Sequence, residues 1–239
     1  MRVPRPVLAI AGIVIVAGLA GVWYLFFRPA GPPPVTGASP VPGASAPLTS
    51  SPASSRAPGA SGAIAGTWTI DASAGSFVGY RVQETLASIG AATAVGRTTG
   101  VTGSLVLDGA TITSVQITAD LTGLQSDESR RDGQLRRQAL ETDRFPTATF
   151  TLTSPIDLGS VPGDGQSVSA TATGDLTLHG VTRSVQIEVQ AARSGDAVTV
   201  SGSIEIQFVD FDMTPPSSFV VLSVADHGTM ELQLVFRKG

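Results

Sequence analysis

Two histidines, a scatter of aspartates and a cluster of arginines are the residues of this 239-residue chain that could do chemistry. A histidine beside a nucleophile would serve as its general base. His179 is followed by Gly180, and His227 stands between Asp226 and Gly228, so both read as turn residues. Neighbours in a strand face opposite ways, which weakens Asp226 and His227 as a catalytic pair. No G-x-S-x-G nucleophile elbow occurs. A glycosidase needs two carboxylates at a set separation in one cleft. Asp71, Asp120, Asp175 and Asp210 are scattered, and nothing in the sequence brings them together. The chain has no cysteine, which excludes disulfides, thiolate metal sites, cysteine nucleophiles and a lipidated cysteine. Two histidines are too few for a multi-histidine metal site. The residue inventory therefore points to a binding or structural module, with no catalytic residues, metal or obligatory cofactor.

The arginines concentrate in ESRRDGQLRRQALETDRFPTATF, residues 128–150, in a chain only 14% charged. Phosphate or nucleic-acid binding is one chemistry for Arg130, Arg131, Arg136 and Arg137. The net charge of −4 argues against it, because nucleic-acid binders carry a basic surface. So does the spacing. Glu128 and Arg131 are three apart, and Asp127–Arg131, Asp132–Arg136 and Arg137–Glu141 are four apart, so on a helix each is an opposite-charge neighbour. Ser126 is a candidate N-cap, with acids in the first turn. Leu135, Ala139 and Leu140 would form the buried stripe. This predicts a short, charge-decorated helix inserted between strands.

The elements around it alternate with a period of two. Val78, Tyr80 and Val82 share one face of a strand, and Val101, Leu105 and Leu107 share another. Asp108-Gly109 marks a hairpin, beyond which come Val115, Ile117, Ala119 and Leu121. Phe150 and Leu152 follow, then Leu176 and Leu178 up to the His179-Gly180 turn. Val185, Ile187 and Val189 alternate after it, as do Ile204, Ile206 and Phe208, and then Met230, Leu232, Leu234 and Phe236. The opposite faces carry Thr, Ser, Gln, Glu and Arg, the pattern of antiparallel sheet with one wet face. About eight such strands predict a mainly β domain, a sandwich or a closed barrel. A barrel of that size is either filled by its own side chains or holds one small ligand. Alternation serves both, and from the pattern alone the filled core is the simpler reading.

Residues 64–239 form this domain; two other segments precede it. Residues 7–27, VLAIAGIVIVAGLAGVWYLFF, carry no charge. As a helix the run would span about 31 Å, close to the hydrocarbon thickness of a bilayer. Arg2 and Arg5 precede it, which places the N-terminus in the cytoplasm. Gly18-Leu19-Ala20 would suit signal cleavage, but the apolar run continues past it, longer than a signal peptide needs. Residues 1–28 are thus expected to be a retained single-pass anchor in the cell membrane, with the C-terminal domain extracytoplasmic. Residues 29–63 are almost entirely Pro, Ala, Gly, Ser and Thr, expected to form a disordered linker. It would reach about 35 Å as a coil and roughly 100 Å as polyproline II.

Four pieces in order resemble a known family: GTWTID (66–71), Arg131-Asp132 with Leu135, DRFPTATF (143–150), and GDLTLHGVTRSVQIEV (174–189). Together they resemble the YceI-like family of bacterial polyisoprenoid-binding, lipocalin-like β-barrels. The resemblance implies an antiparallel barrel of about eight strands, a helix across it, and an elongated apolar cavity for an isoprenoid-type lipid, such as a polyisoprenoid or a quinone. It implies no catalytic residues. Together with their place at the strand–helix junction, it implies a structural role for Arg131 and Asp132. The cavity would be lined by the inward faces: Val78, Tyr80, Val115, Ile117, Phe150, Leu152, Leu176, Leu178, Ile187, Val189, Phe208, Leu232 and Leu234. FVDFDMTPP (208–216) departs from the commonest family form, with Asp210 near where a basic residue is usual. The ending SVADHGTMELQLVF (223–236) resembles a membrane-tethered subgroup.

Overall fold

The computed structural model describes residues 32–35, 64–87, 90–216 and 221–239. The run 7–27 and most of the linker lie outside them. Among the described residues no helix is long and apolar enough to cross a membrane.

The strands, in chain order, are β1 (Gly66–Ile70), β2 (Phe77–Leu86), β3 (Gly90–Thr98), β4 (Val101–Asp108), β5 (Thr111–Asp120), β6 (Gln125–Ser126), β7 (Thr147–Leu152), β8 (Ile156–Asp157), β9 (Ser167–Leu178), β10 (Val181–Ser194), β11 (Ala197–Gln207), β12 (Val221–Val224) and β13 (His227–Lys238). β1, β4, β5, β7, β9, β10, β11 and β13 pair in that order, and β13 returns to β1, closing an eight-stranded antiparallel barrel. Two staves of the barrel are broken. β1 and β2 lie end to end along one edge of β13, β1 on Phe236–Lys238 and β2 on Gln233–Thr229. β4 and β3 repeat the arrangement one place over, on β1 and β2. Closure satisfies the sheet edges that an open sheet of this length would expose.

Local sequence accounts for the hairpins. His179 and Gly180 both have positive φ, 52° and 77°, the type I′ geometry that matches strand twist. Another tight hairpin is set one residue beyond the predicted Asp108-Gly109. Asp108 pairs with Thr111, so Gly109 and Ala110 form the loop. His227 is not in a turn: it opens β13 opposite Gln207. The predicted strand through Ile204 and Ile206 stops at Gln207, and Phe208–Phe211 turns into a 3-10 helix. Met213 N–H closes this turn on the Phe208 carbonyl, and Phe211 is driven inward.

The charged insertion is helical. α1 (Ser129–Gln134) runs on into a π-helical turn, Leu135–Ala139. Glu128 caps it, not Ser126: the Glu128 carboxylate accepts from Arg130 N–H at 3.1 Å. Ser126 is held one step earlier, in β6 opposite Gly96. Of the expected helical charge pairs, Asp127–Arg131 forms at 2.6 Å. Arg136 instead donates to the Leu124 carbonyl, and Glu141 meets Arg144.

Candidate functional site: an apolar cavity under the helix

A barrel whose inward residues simply filled it would have no hollow. This one encloses a cavity of about 250 Å³. Alternation along β2, β5, β7, β9, β10 and β13 brings nearly every predicted residue to its wall. Leu152 is the exception: it packs against the cluster of Phe150, Ile156, Ala172 and Ile187 without lining the cavity. There the chain leaves the stave, as Thr153 and Ser154 N–H both turn to the Thr173 carbonyl. Phe208 lines the cavity from its 3-10 turn, not from a strand.

The two ends of the cavity differ. One is floored by Leu105, Leu234 and Phe236, packed with Trp68 and Val101. The Trp68 indole N–H donates to Ile64 O at 2.9 Å, so even its polar atom is satisfied. The other end is roofed by Leu135, Ala139 and Leu140 of the helical segment and by Met213–Pro216. The three apolar positions expected on one stripe of the helix thus all face the hollow.

Polar groups gather beside this roof. Arg131 reaches from α1 to Glu84 on β2, Nη2 to Oε1 at 2.7 Å. Burial works against its charge, but Glu84 and Asp127 outweigh this and hold its pKa above the ordinary arginine value. Asp132, 6% exposed, accepts from Ser126 N–H at 2.9 Å and from the Ser126 hydroxyl at 2.6 Å. Together these contacts bind the helix to β2 and β6. Sequence reasoning found Arg131 and Asp132 but not Glu84, whose place in an alternating strand carried no sign of a partner 47 residues away.

Tyr80 lies between this cluster and the cavity. Its ring crosses Gly96, where a Cβ would come within 2.3 Å of Cε1, so only glycine leaves the space. The hydroxyl is buried near Ser126 without a hydrogen bond from any described residue. Burial pushes its pKa up to about 12; Arg131 opposes the shift and Asp132 and Glu84 add to it.

The candidate acid–base groups do not assemble. His179 Nδ1 lies 3.1 Å from the Phe211 carbonyl, and its ring packs edge-on to Phe145 at 4.5 Å. That contact ties the β9–β10 turn to the 3-10 turn. His227 pairs with Asp226 at 2.8 Å on the surface. Asp71 meets Arg237, Asp120 binds its own Thr122, and the exposed Asp210 offers its backbone carbonyl to Arg183. No cluster of three metal-ligating side chains occurs among the described residues.

A closed antiparallel sheet of eight strands around an apolar hollow, with a short helix over one end, defines a ligand-sized β-barrel. The chain belongs to the YceI-like family: the YceI-like domain profile matches residues 68–236. A UPF0312 protein of Shewanella denitrificans is 30% identical over 62% of this chain and 80% of its own length. The YceI protein of Shigella flexneri is 31% identical over 49% of this chain. The matches span only 63% of that relative and 60% of a UPF0312 protein from Vibrio parahaemolyticus. Among solved structures, a polyisoprenoid binding domain from Saccharophagus degradans superposes with a TM-score of 0.58 at 17% identity, covering 73% of this chain and 99% of that one. Burkholderia cenocepacia BcnA does so with a TM-score of 0.53 at 21% identity, covering 70% and 98%. At these identities the likeness concerns the fold.

Proposed function

We propose that the barrel binds an isoprenoid-type lipid, a polyisoprenoid or a quinone, and carries or sequesters it at a membrane. The apolar cavity of about 250 Å³ is the observation that supports this. A hydrocarbon chain there would gain about 25 cal/mol for each Å² of apolar surface removed from water. The wall offers few polar groups away from the Arg131–Glu84 pair, so a polar solute would lose its water without replacement. That the S. degradans neighbour is a polyisoprenoid binding domain agrees with this reading. The residues proposed to touch the lipid are those predicted from the inward faces, less Leu152.

The tethering is part of the same proposal. Residues 1–28 would anchor the chain, residues 29–63 would form the stalk, and residues 64–239 would sit outside the cytoplasm. A reporter fused after Gly239 is expected to be active only outside the cytoplasm, and cytoplasmic activity would overturn the placement. For the ligand, the full chain, washed in detergent and extracted with organic solvent, is expected to release an isoprenoid lipid detectable by mass spectrometry. A lipid-free extract would favour a structural or interaction barrel of the envelope.

A further inference from the structure

The outer face of the barrel carries a charged row that alternation alone would leave in water. Gly79 on β2 stands opposite both Arg97 on β3 and Glu231 on β13. Glu231 is nevertheless only 3% exposed. Arg81 Nε donates to its Oε1, and Arg97 Nη2 lies 3.5 Å from its Oε2. Gly79 makes this crossing possible: a Cβ there would come within 2.8 Å of Arg97 Cγ and 2.5 Å of the Gly96 carbonyl. The Arg97 guanidinium also lies over the Phe77 ring, 4.1 Å from its centroid. One buried carboxylate thus fixes two guanidinium groups from beneath, and each has further N–H groups to offer outward.

Both outward bonds go to one short segment. Arg81 Nη2 donates to the Pro32 carbonyl, and Arg97 Nη2 to the Pro33 carbonyl at 3.1 Å. Proline suits this role. It has no N–H, so a run of prolines presents only acceptors, and its fixed φ lowers the entropy lost on docking.

We propose that Arg81, Arg97 and Glu231 form a docking site for a proline-rich segment, and that the chain's own Pro32–Pro34 occupies it. Seating those prolines shortens the tether. Undocked, residues 29–63 would let the barrel range over about 35 to 100 Å. Docked, only residues 29–31 separate Arg28 from the docked Pro32, a span of at most about 14 Å. On the anchor proposed above, this holds the β2–β3–β13 face beside the bilayer. That consequence rests on the anchor; the docking itself does not.

The chain lacks cysteine, so two introduced cysteines can be spin-labelled cleanly. Val35→Cys adjoins the prolines, and Ser184→Cys lies on the exposed side of β10. In the full chain, in detergent or nanodiscs, the label-to-label distance is expected to be narrowly distributed. Replacing Pro32-Pro33-Pro34 with three glycines, outside the barrel, is expected to broaden it. Arg97→Ala is expected to do the same while leaving Arg81 on Glu231. A broad distribution in the parent, or one that the glycine replacement leaves narrow, would overturn docking. A narrow distribution that survives Arg97→Ala would overturn the arginine site. Neither outcome depends on whether lipid is bound.

Discussion

The two ends of the barrel are both packed, but only one adds buried charged contacts. At the floor, Trp68, Val101, Leu234 and Phe236 interlock, and Val101, Leu234 and Phe236 are at most 2% exposed. Under the helix, an apolar cluster that includes Leu121, Leu124, Leu140, Phe211 and Met213 is joined by charged, directional contacts that the floor lacks: Arg131 to Glu84 and Asp132 to Ser126. Close packing fails only by leaving a void or overfilling one. A hydrogen-bonded roof can part by exchanging its contacts for water, because the net worth of each is small. The floor, held mainly by packing, is expected to be the stabler end, and the roof, whose polar contacts can exchange with water, is the end through which a ligand would enter.

The largest expected effect comes from breaking the floor. Phe236→Ala leaves a cavity where nothing can collapse inward, and should cost about 3–5 kcal/mol by chemical denaturation. A cost below about 1 kcal/mol would mean that the floor is not the stable end. At the roof, Asp132→Ala strips an acceptor from both the Ser126 N–H and the Ser126 hydroxyl, and is expected to cost about 1–3 kcal/mol. Unchanged melting with altered lipid content would instead assign Asp132 to the ligand.

Tyr80 sharpens the contrast through pH. Its folded pKa, about 12, lies above the ordinary tyrosine value of 10 because burial disfavours the phenolate. The protonated form is thus favoured in the folded state. Its contribution is fully present below pH 10 and is lost as pH rises from 10 towards 12. The full shift corresponds to roughly 2–3 kcal/mol, less some solvent screening. Tyr80→Phe should flatten this alkaline decline. At neutral pH it is expected to change stability by less than about 1 kcal/mol, because the hydroxyl lacks a described partner. A large neutral-pH loss would reveal a bond that the geometry does not contain.

Much of this was legible in the sequence for a local reason. Strand periodicity, the His179-Gly180 turn and the apolar stripe of Leu135, Ala139 and Leu140 each depend on residues within a few positions. What the pattern could not carry was long-range. β1 and β2 share one edge of β13, a pairing across roughly 150 residues that no local signal records. Glu231 occupies a position that alternation assigns to solvent, and it is buried because Arg81, Arg97 and two prolines meet over it. Phe208 kept the two-residue rhythm although the backbone had already turned, since side-chain order does not report φ and ψ. A filled core and a hollow one likewise share one inward pattern. Their difference lies in summed volume around the barrel.

That difference is what Ile117→Trp tests, because Ile117 lines the cavity and the change adds volume without polarity. The readouts are thermal melting and mass spectrometry of solvent-extracted lipid, on the parent and variant full chains side by side. The expected result is a parent that releases an isoprenoid lipid and a variant that melts within a few degrees of it but releases a shorter lipid or none. A lipid-free parent, together with a variant destabilised by about 1–3 kcal/mol through overpacking, would contradict the account.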